Sequence, residues 1–193
     1  MVMSIEEHNE RKAKSYKIML WIAMVSMTMM FAGLTSAYVV SASRADWLKD
    51  FVLPSSFTIS TIIMIASSLT FHFAKKAIQN NNRSLTTILL FTTLILGILF
   101  VNFQLNGFEQ MIAMGLNPTG PTSTVTTSFI YVVVLAHFAH LFGGIISLLI
   151  VIYNHFKQKY NSTQTTGIEL SAMFWHFLDF LWLYLFLFLY FFK

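Results

Sequence analysis

The last apolar run of the chain, Leu170 to Phe192, restricts the possible folds more than any other segment. Its 23 residues are almost all apolar, and as a helix they would extend about 30 Å or slightly more, the thickness of a bilayer core. The run nevertheless contains His176 and Asp179, and Glu169 precedes it. A carboxylate near the bilayer centre costs at least ~2.5 kcal/mol, so such residues usually face other helices and have a function.

The composition agrees with a membrane protein and excludes several other classes. Hydrophobic residues make up 56% of the chain and charged residues only 10%, whereas soluble domains carry about 25% charged residues. Cysteine is absent, which excludes disulfides, thiolate metal sites and a cysteine nucleophile. The charged residues behind the net charge of +4 lie mostly between the apolar runs. Membrane topology therefore explains this charge better than a nucleic-acid partner does.

Five apolar segments predict five transmembrane helices. Each has about 20 residues or more, as a spanning helix requires, and none alternates as a barrel strand would. Backbone groups in lipid must be paired within their own segment, which leaves helices for such runs. The predicted helices cover residues 18–40, 53–74, 85–108, 125–152 and 170–192.

The predicted fold class is therefore all-α, an integral membrane bundle of five transmembrane helices. Residues 17–193 form this domain, and residues 1–16 form a cytoplasmic amino-terminal segment. The short connections predict that consecutive helices are neighbours in an up-down bundle. The longest connection is predicted to run from about Gly107 to Thr124.

The distribution of Lys and Arg predicts the orientation. Nine of them fall on the amino-terminal side of the predicted bundle and three on the opposite side. Because positive residues are retained in the cytoplasm, the amino terminus is expected there and the carboxy terminus outside. The nine are Arg11, Lys12, Lys14, Lys17, Lys75, Lys76, Arg83, Lys157 and Lys159; the three are Arg44, Lys49 and Lys193.

Ionisable residues in the last two helices predict a polar cluster inside the bundle. His137 and His140 lie three residues apart, as do His176 and Asp179, and this spacing places each pair on one helix face. In antiparallel helices His140 and Asp179 have similar depths, about 18 Å and 14 Å from the cytoplasmic ends. We therefore expect Asp179 to face the histidine pair, with His176 nearer the cytoplasm and Glu169 at its mouth.

Three interpretations of this cluster stay open. It could fix helix packing, with interhelical contacts of about 1 kcal/mol each, or carry protons or ions, or hold a metal. No fourth metal ligand stands out and the spacing is not that of HExxH, so no metal is expected on this chain. No catalytic residue is predicted, because the sequence lacks a Walker A loop, a GxGxxG motif and a nucleophile elbow.

Two glycines and two tryptophans are predicted to act in packing. Gly143 and Gly144 follow the histidines, and small residues at such positions allow helices to approach closely. Trp175 and Trp182 belong to the last helix. We expect all four to pack against lipid or another subunit.

The last helix resembles a known family. The stretch WHFLDFLWLYLFLFLY, residues 175–190, resembles the final helix of subunit III of haem-copper respiratory oxidases, in its short five-helix form. The residues that match in order and spacing are Gly167, Glu169, Trp175, His176, Phe177, Asp179 and Trp182. Further matches are His137, His140 and Gly144 in the fourth helix, Gly97, Phe100 and Gln104 in the third, Pro54, Thr61, Ser67, Ser68 and Thr70 in the second, and Phe31, Gly33 and Ala37 in the first.

The chain departs from the family pattern at two positions. The family often has a buried Glu after a Ser in the first matching helix, but Met27 follows Ser26 here. The family also tends to have Glu three residues after the Gln of the third helix, where this chain has Gly107. Roles of those carboxylates in proton handling or lipid contact do not carry over.

The resemblance implies an accessory subunit of a proton-pumping cytochrome c oxidase in a bacterial plasma membrane. Haem and copper would lie in partner subunits, and this chain would pack against catalytic subunit I and other oxidase subunits, or within a larger respiratory supercomplex. It would bind phospholipid in a cleft between helices and support proton uptake. The alternatives are a quinol oxidase subunit, a nitric oxide reductase accessory protein, and a small proton-coupled transporter, whose usual inverted repeats and broken helices are not evident.

Overall fold

The chain folds into five long α-helices. The computed structural model describes residues 5–45, 47–48, 52–121, 123–161 and 164–192, and every helix in that part is long and apolar enough to cross a membrane. The all-α class and the five spanning helices are thus confirmed. The helices are α1 (Ile5–Ser41), α2 (Ser55–Gln79), α3 (Arg83–Ala113), α4 (Val125–Phe156) and α5 (Thr166–Phe191).

Most helices extend beyond their predicted ends. α1 is continuous from Ile5, so it includes most of the segment that was predicted to precede the bundle. Its 37 residues correspond to about 55 Å, well over the hydrocarbon thickness. The apolar pattern stops where lipid ends, but the helical backbone continues into water. Residues 1–4 of that segment, and Lys49 and Lys193 of the charge count, lie outside the described residues.

The connections also differ from the prediction. α3 continues to Ala113, so the connection before α4 is shortened to residues 114–124. The connection from α1 to α2 covers residues 42–54 and is the longer of the two. The prediction that the longest connection starts at Gly107 is therefore wrong, because the glycine- and proline-rich stretch begins only after α3 has ended.

The helices do not all pack in sequence order. α2 lies along α3, α5 contacts α1, α2 and α4, and α4 contacts α1, α3 and α5. Among the described residues α1 and α2 make no close approach, which contradicts the prediction that consecutive helices are neighbours. The long 42–54 connection allows this separation. A gap between α1 and α2 is left on one side of α5.

The α2–α3 pair is joined by hydrogen bonds and by a close approach at a glycine. A Cβ on Gly107 would lie 2.7 Å from the ring of Phe57, so this position has room only for glycine. The interhelical hydrogen bonds are Gln104–Ser60 (2.8 Å), Gln110–Ser56 (2.9 Å) and Thr70–Thr93 (2.8 Å).

Candidate functional site

The two tryptophans of α5 attach this helix to α2. The indole Nε1 of Trp175 donates to the hydroxyl of Ser67 at 2.9 Å, and that of Trp182 donates to Thr61 at 3.0 Å. Both rings are fully buried. They therefore pack between helices of this chain, and not against lipid or another subunit.

The paired glycines of α4 have different surroundings. A Cβ on Gly144 would lie 2.8 Å from Leu178 and 3.5 Å from the Trp175 ring, so Gly144 permits the close packing of α4 on α5. No described atom outside its own helix lies within 4 Å of a Cβ on Gly143. Gly144 thus packs inside this chain, while contact of Gly143 with lipid or another subunit stays a prediction.

His176 and Asp179 project from α5 towards α2. The Nδ1 of His176 is 2.6 Å from the Ser68 hydroxyl, and its ring lies 6.2 Å from the ring of His72. The Ser68 hydroxyl also lies beside the Asp179 carboxylate, but the two groups do not meet the geometry of a hydrogen bond. Both carboxylate oxygens are buried and have no hydrogen-bond partner among the described residues.

The histidines of α4 lie in an aromatic environment. His137 is fully buried, and neither ring nitrogen has a hydrogen-bond partner in the described part of the chain. Its ring centroid is 5.1 Å from that of Trp182 and 6.3 Å from that of Phe100. His140 is hydrogen-bonded through Nδ1 to the carbonyl oxygen of Ala136 at 2.7 Å.

The predicted contact between Asp179 and the histidine pair is not formed. No hydrogen bond joins Asp179 to His137 or His140. The prediction rested on similar depths, but depth fixes only the height along a helix and not the direction of a side chain around it. Trp182 stacks obliquely on His137, while Asp179 points to Ser68 on α2. The histidine pair of α4 and the His176–Asp179 pair of α5 are therefore separate groups.

Glu169, in the first turn of α5, links this helix to α1. Its carboxylate accepts from Lys17 Nζ at 3.2 Å and from the Thr165 hydroxyl at 2.8 Å. Lys75 of α2 lies close enough to interact with the same carboxylate. Glu169 lies nearer the start of α5 than His176, on the same helix face, in the order that was predicted. Its contact with Lys17 was not predicted.

The hydroxyl groups of α2 are the main addition to the predicted site. Besides Ser56 and Ser60, four of them bind polar side chains of α5 or α3: Thr61, Ser67, Ser68 and Thr70. All four belong to the Ser/Thr pattern that resembles the family, but periodicity alone does not reveal their partners. Among the residues that the structure describes, no group of three or more metal-ligating side chains comes together.

Comparison with known proteins decides the family. The sequence model of "Cytochrome c oxidase subunit III" matches residues 4–193. The chain belongs to the cytochrome c oxidase subunit III family. The resemblance of the last two helices is therefore confirmed, and the protein is subunit III of a haem-copper oxidase.

Curated relatives include both kinds of terminal oxidase. The cytochrome bo(3) ubiquinol oxidase subunit 3 of Buchnera aphidicola subsp. Acyrthosiphon pisum is 30% identical over 89% of this chain and 83% of its own length. The cytochrome c oxidase subunit 3 of Thermostichus vulcanus is 29% identical over 89% and 84%. That of Spodoptera frugiperda is 35% identical over 68% and 86%. The chain is thus nearly equally similar to a quinol oxidase subunit and to a cytochrome c oxidase subunit.

Proposed function

We propose that this subunit III is the non-catalytic, metal-free accessory subunit of a proton-pumping cytochrome c oxidase. The match of the family model to residues 4–193 carries this proposal. The buried side chains of α4 and α5 support it, because Trp175 and Trp182 donate to α2 hydroxyls and the ring of His137 is enclosed by aromatic rings. Haem and copper would then be held by partner subunits.

The subunit would stabilise catalytic subunit I and support its proton uptake. Other oxidase subunits, or a larger respiratory supercomplex, would complete the assembly. Exposed apolar side chains along every helix support contact with lipid or other subunits, including Met29, Ile62, Ile88, Phe142 and Phe180. The gap between α1 and α2 supports a bound phospholipid, since its cytoplasmic end carries Lys17 and Lys75.

The protein is a multi-pass membrane protein, and we place it in a bacterial plasma membrane with its amino terminus in the cytoplasm. The excess of Lys and Arg on that side supports this orientation. The polar cluster around Asp179 and His176 would then be reached from the cytoplasmic side, where a proton pump takes up its protons.

Turnover by the purified complex tests the electron donor. The complex would be isolated in mild detergent through a tag on this chain and supplied with reduced cytochrome c or with a quinol. Oxygen consumption with reduced cytochrome c alone supports the proposal. Consumption with quinol alone assigns the subunit to a quinol oxidase, which the Buchnera relative favours. Nitric oxide reduction without oxygen reduction would indicate the related reductase assembly.

The transporter alternative predicts a different particle. A proton-coupled transporter would elute without haem and would acidify or alkalinise liposomes alone. The helices of the described structure are unbroken through their apolar windows, whereas transporter sites are commonly formed by discontinuous helices. Proton flux through the haem-free chain in liposomes would overturn the proposed function.

A further inference from the structure

The carboxylate of Asp179 is a buried acid without a partner in the described structure. It lies 13 residues from the start of α5 at Thr166, about 20 Å along the helix. Its residue is only 8% exposed, and neither oxygen accepts a hydrogen bond. Such a group is normally neutralised by a proton, because an isolated charge in an apolar medium is very costly. A route by which that proton arrives is therefore required.

One hydroxyl group connects this acid to a histidine. The Ser68 hydroxyl lies beside the Asp179 carboxylate and 2.6 Å from Nδ1 of His176. A hydroxyl can donate and accept at once, so it can pass a proton between the two. Because Ser68 occupies Nδ1 of His176, the other nitrogen, Nε2, is the one available to groups outside.

The histidine in turn faces the gap between α1 and α2. His176 is half-buried, and the exposed side chain of His72 lies next to it with ring centroids 6.2 Å apart. One water molecule can bridge two imidazoles at such a separation. His72 lies seven residues before the end of α2 at Gln79 and three before Lys75, so interfacial water can reach it.

The charged groups near this route lie where it begins. His72 and Lys75 of α2 are the charged or titratable neighbours that act on His176, and Glu169 of α5 is paired with Lys17 of α1. Lys75 also acts on Glu169. The route therefore begins among charged side chains of α1, α2 and α5.

We propose that Asp179 is a proton-binding site, loaded from the water at the end of α2 through His72, His176 and Ser68. A proton adds to Nε2 of His176, and the Nδ1 proton passes to the Ser68 oxygen. The Ser68 hydroxyl then rotates into a hydrogen bond with Asp179 and passes its own proton to the carboxylate, where one O–H bond forms. The carboxylate gains one proton and the water at the end of α2 loses one; the reverse sequence releases it.

The site stores a proton and does not conduct one through the protein. No hydrogen bond leads onward from Asp179 to His137 or His140 in the described structure. Each copy of the chain can thus hold one exchangeable proton near mid-membrane. That this proton comes from the cytoplasm rests on the proposed function, because the orientation is part of it.

Infrared spectroscopy of the purified complex tests the site. The carbonyl stretch of a protonated carboxyl group is recorded for the wild type, Asp179→Asn and Asp179→Glu, and its shift is followed after transfer to deuterated water. We expect a band that disappears in Asp179→Asn and moves in Asp179→Glu. In His176→Gln the band should remain, with exchange slower by about 100-fold, as for loss of a positioned proton-transfer group.

A second histidine provides the matched control. His155 is bonded to the hydroxyl of Thr87 at 2.8 Å, much as His176 is bonded to Ser68, but it lies on α4. His155→Gln should leave the exchange rate of the Asp179 band unchanged. The proposal is overturned if no band depends on residue 179, or if exchange is as fast in His176→Gln as in the wild type.

The two proposals can fail separately. Recovery of a haem-containing complex and its oxygen consumption test the accessory role, while the exchange rate of the Asp179 band tests the proton site. An active complex with no Asp179 band would reject only the site. A band with His176-dependent exchange in a haem-free chain would reject only the accessory role.

Discussion

The indole nitrogen of Trp175 donates a hydrogen bond to the hydroxyl of Ser67, 2.9 Å away, across the contact between α5 and α2. Both side chains are buried. Two turns further along α5, the indole nitrogen of Trp182 donates in the same way to the hydroxyl of Thr61. Two buried indole rings, each with its N–H group hydrogen-bonded, therefore hold α5 against α2. These hydrogen bonds set the rotation of α5 about its axis.

Ser67→Ala should destabilise the subunit by about 1–3 kcal/mol, because it leaves a buried indole N–H without an acceptor. Thermal unfolding of the detergent-solubilised protein measures this. Ser26→Ala, at an exposed position of α1, is the matched control and should have no measurable effect. Equal stability of the two variants would show that the Trp175 hydrogen bond contributes little.

Gly107→Ala should destabilise the α2–α3 pair by about 1–3 kcal/mol, since the added Cβ would press on the buried ring of Phe57. Gly143→Ala has open space around its Cβ and should be neutral or up to about 1 kcal/mol more stable, as expected for Gly to Ala in a helix. The same unfolding assay compares them. The account of the α2–α3 contact is wrong if the order is reversed.

The Lys17–Glu169 ion pair should contribute little to stability. Its side chains are 43% and 23% exposed, and partly exposed pairs of this kind are worth about 0.2–1 kcal/mol. A double-mutant cycle with Lys17→Met and Glu169→Gln should give a coupling in that range that weakens with added salt. A coupling of several kcal/mol that salt does not change would indicate a buried pair in the assembled oxidase.

Single cysteines test the orientation, which is simple because the chain has none. Lys14→Cys lies on the amino-terminal side and Ser43→Cys on the opposite side of α1, both at exposed positions. In intact cells a membrane-impermeant maleimide should label the second variant only, and permeabilised cells should label both. Labelling of the first alone in intact cells would invert the proposed topology.

The five spans were predictable because each is encoded locally. A run of about 20 apolar residues must form a helix in lipid, whatever surrounds it. The helix ends were less predictable, since α1 and α3 continue into water beyond the apolar residues. Hydrophobicity reports where lipid ends, and backbone hydrogen bonding decides where the helix ends.

The arrangement of side chains in the site could be predicted only in part. The depth of Asp179 follows from residue counting, but its direction depends on how Trp175 and Trp182 seat α5 on α2. That rotation arises from packing between distant segments, which no local pattern contains. For the same reason Ser68 emerged as the neighbour of Asp179 only from the structure.

The visible absorption spectrum of the particle purified through a tag on this chain tests the central claim most directly. The account predicts haem absorbance in the intact particle, and none in this chain once partner subunits have been removed. Haem or copper retained by the separated chain, or a stable particle that never contained either, would contradict the assignment as a metal-free accessory subunit.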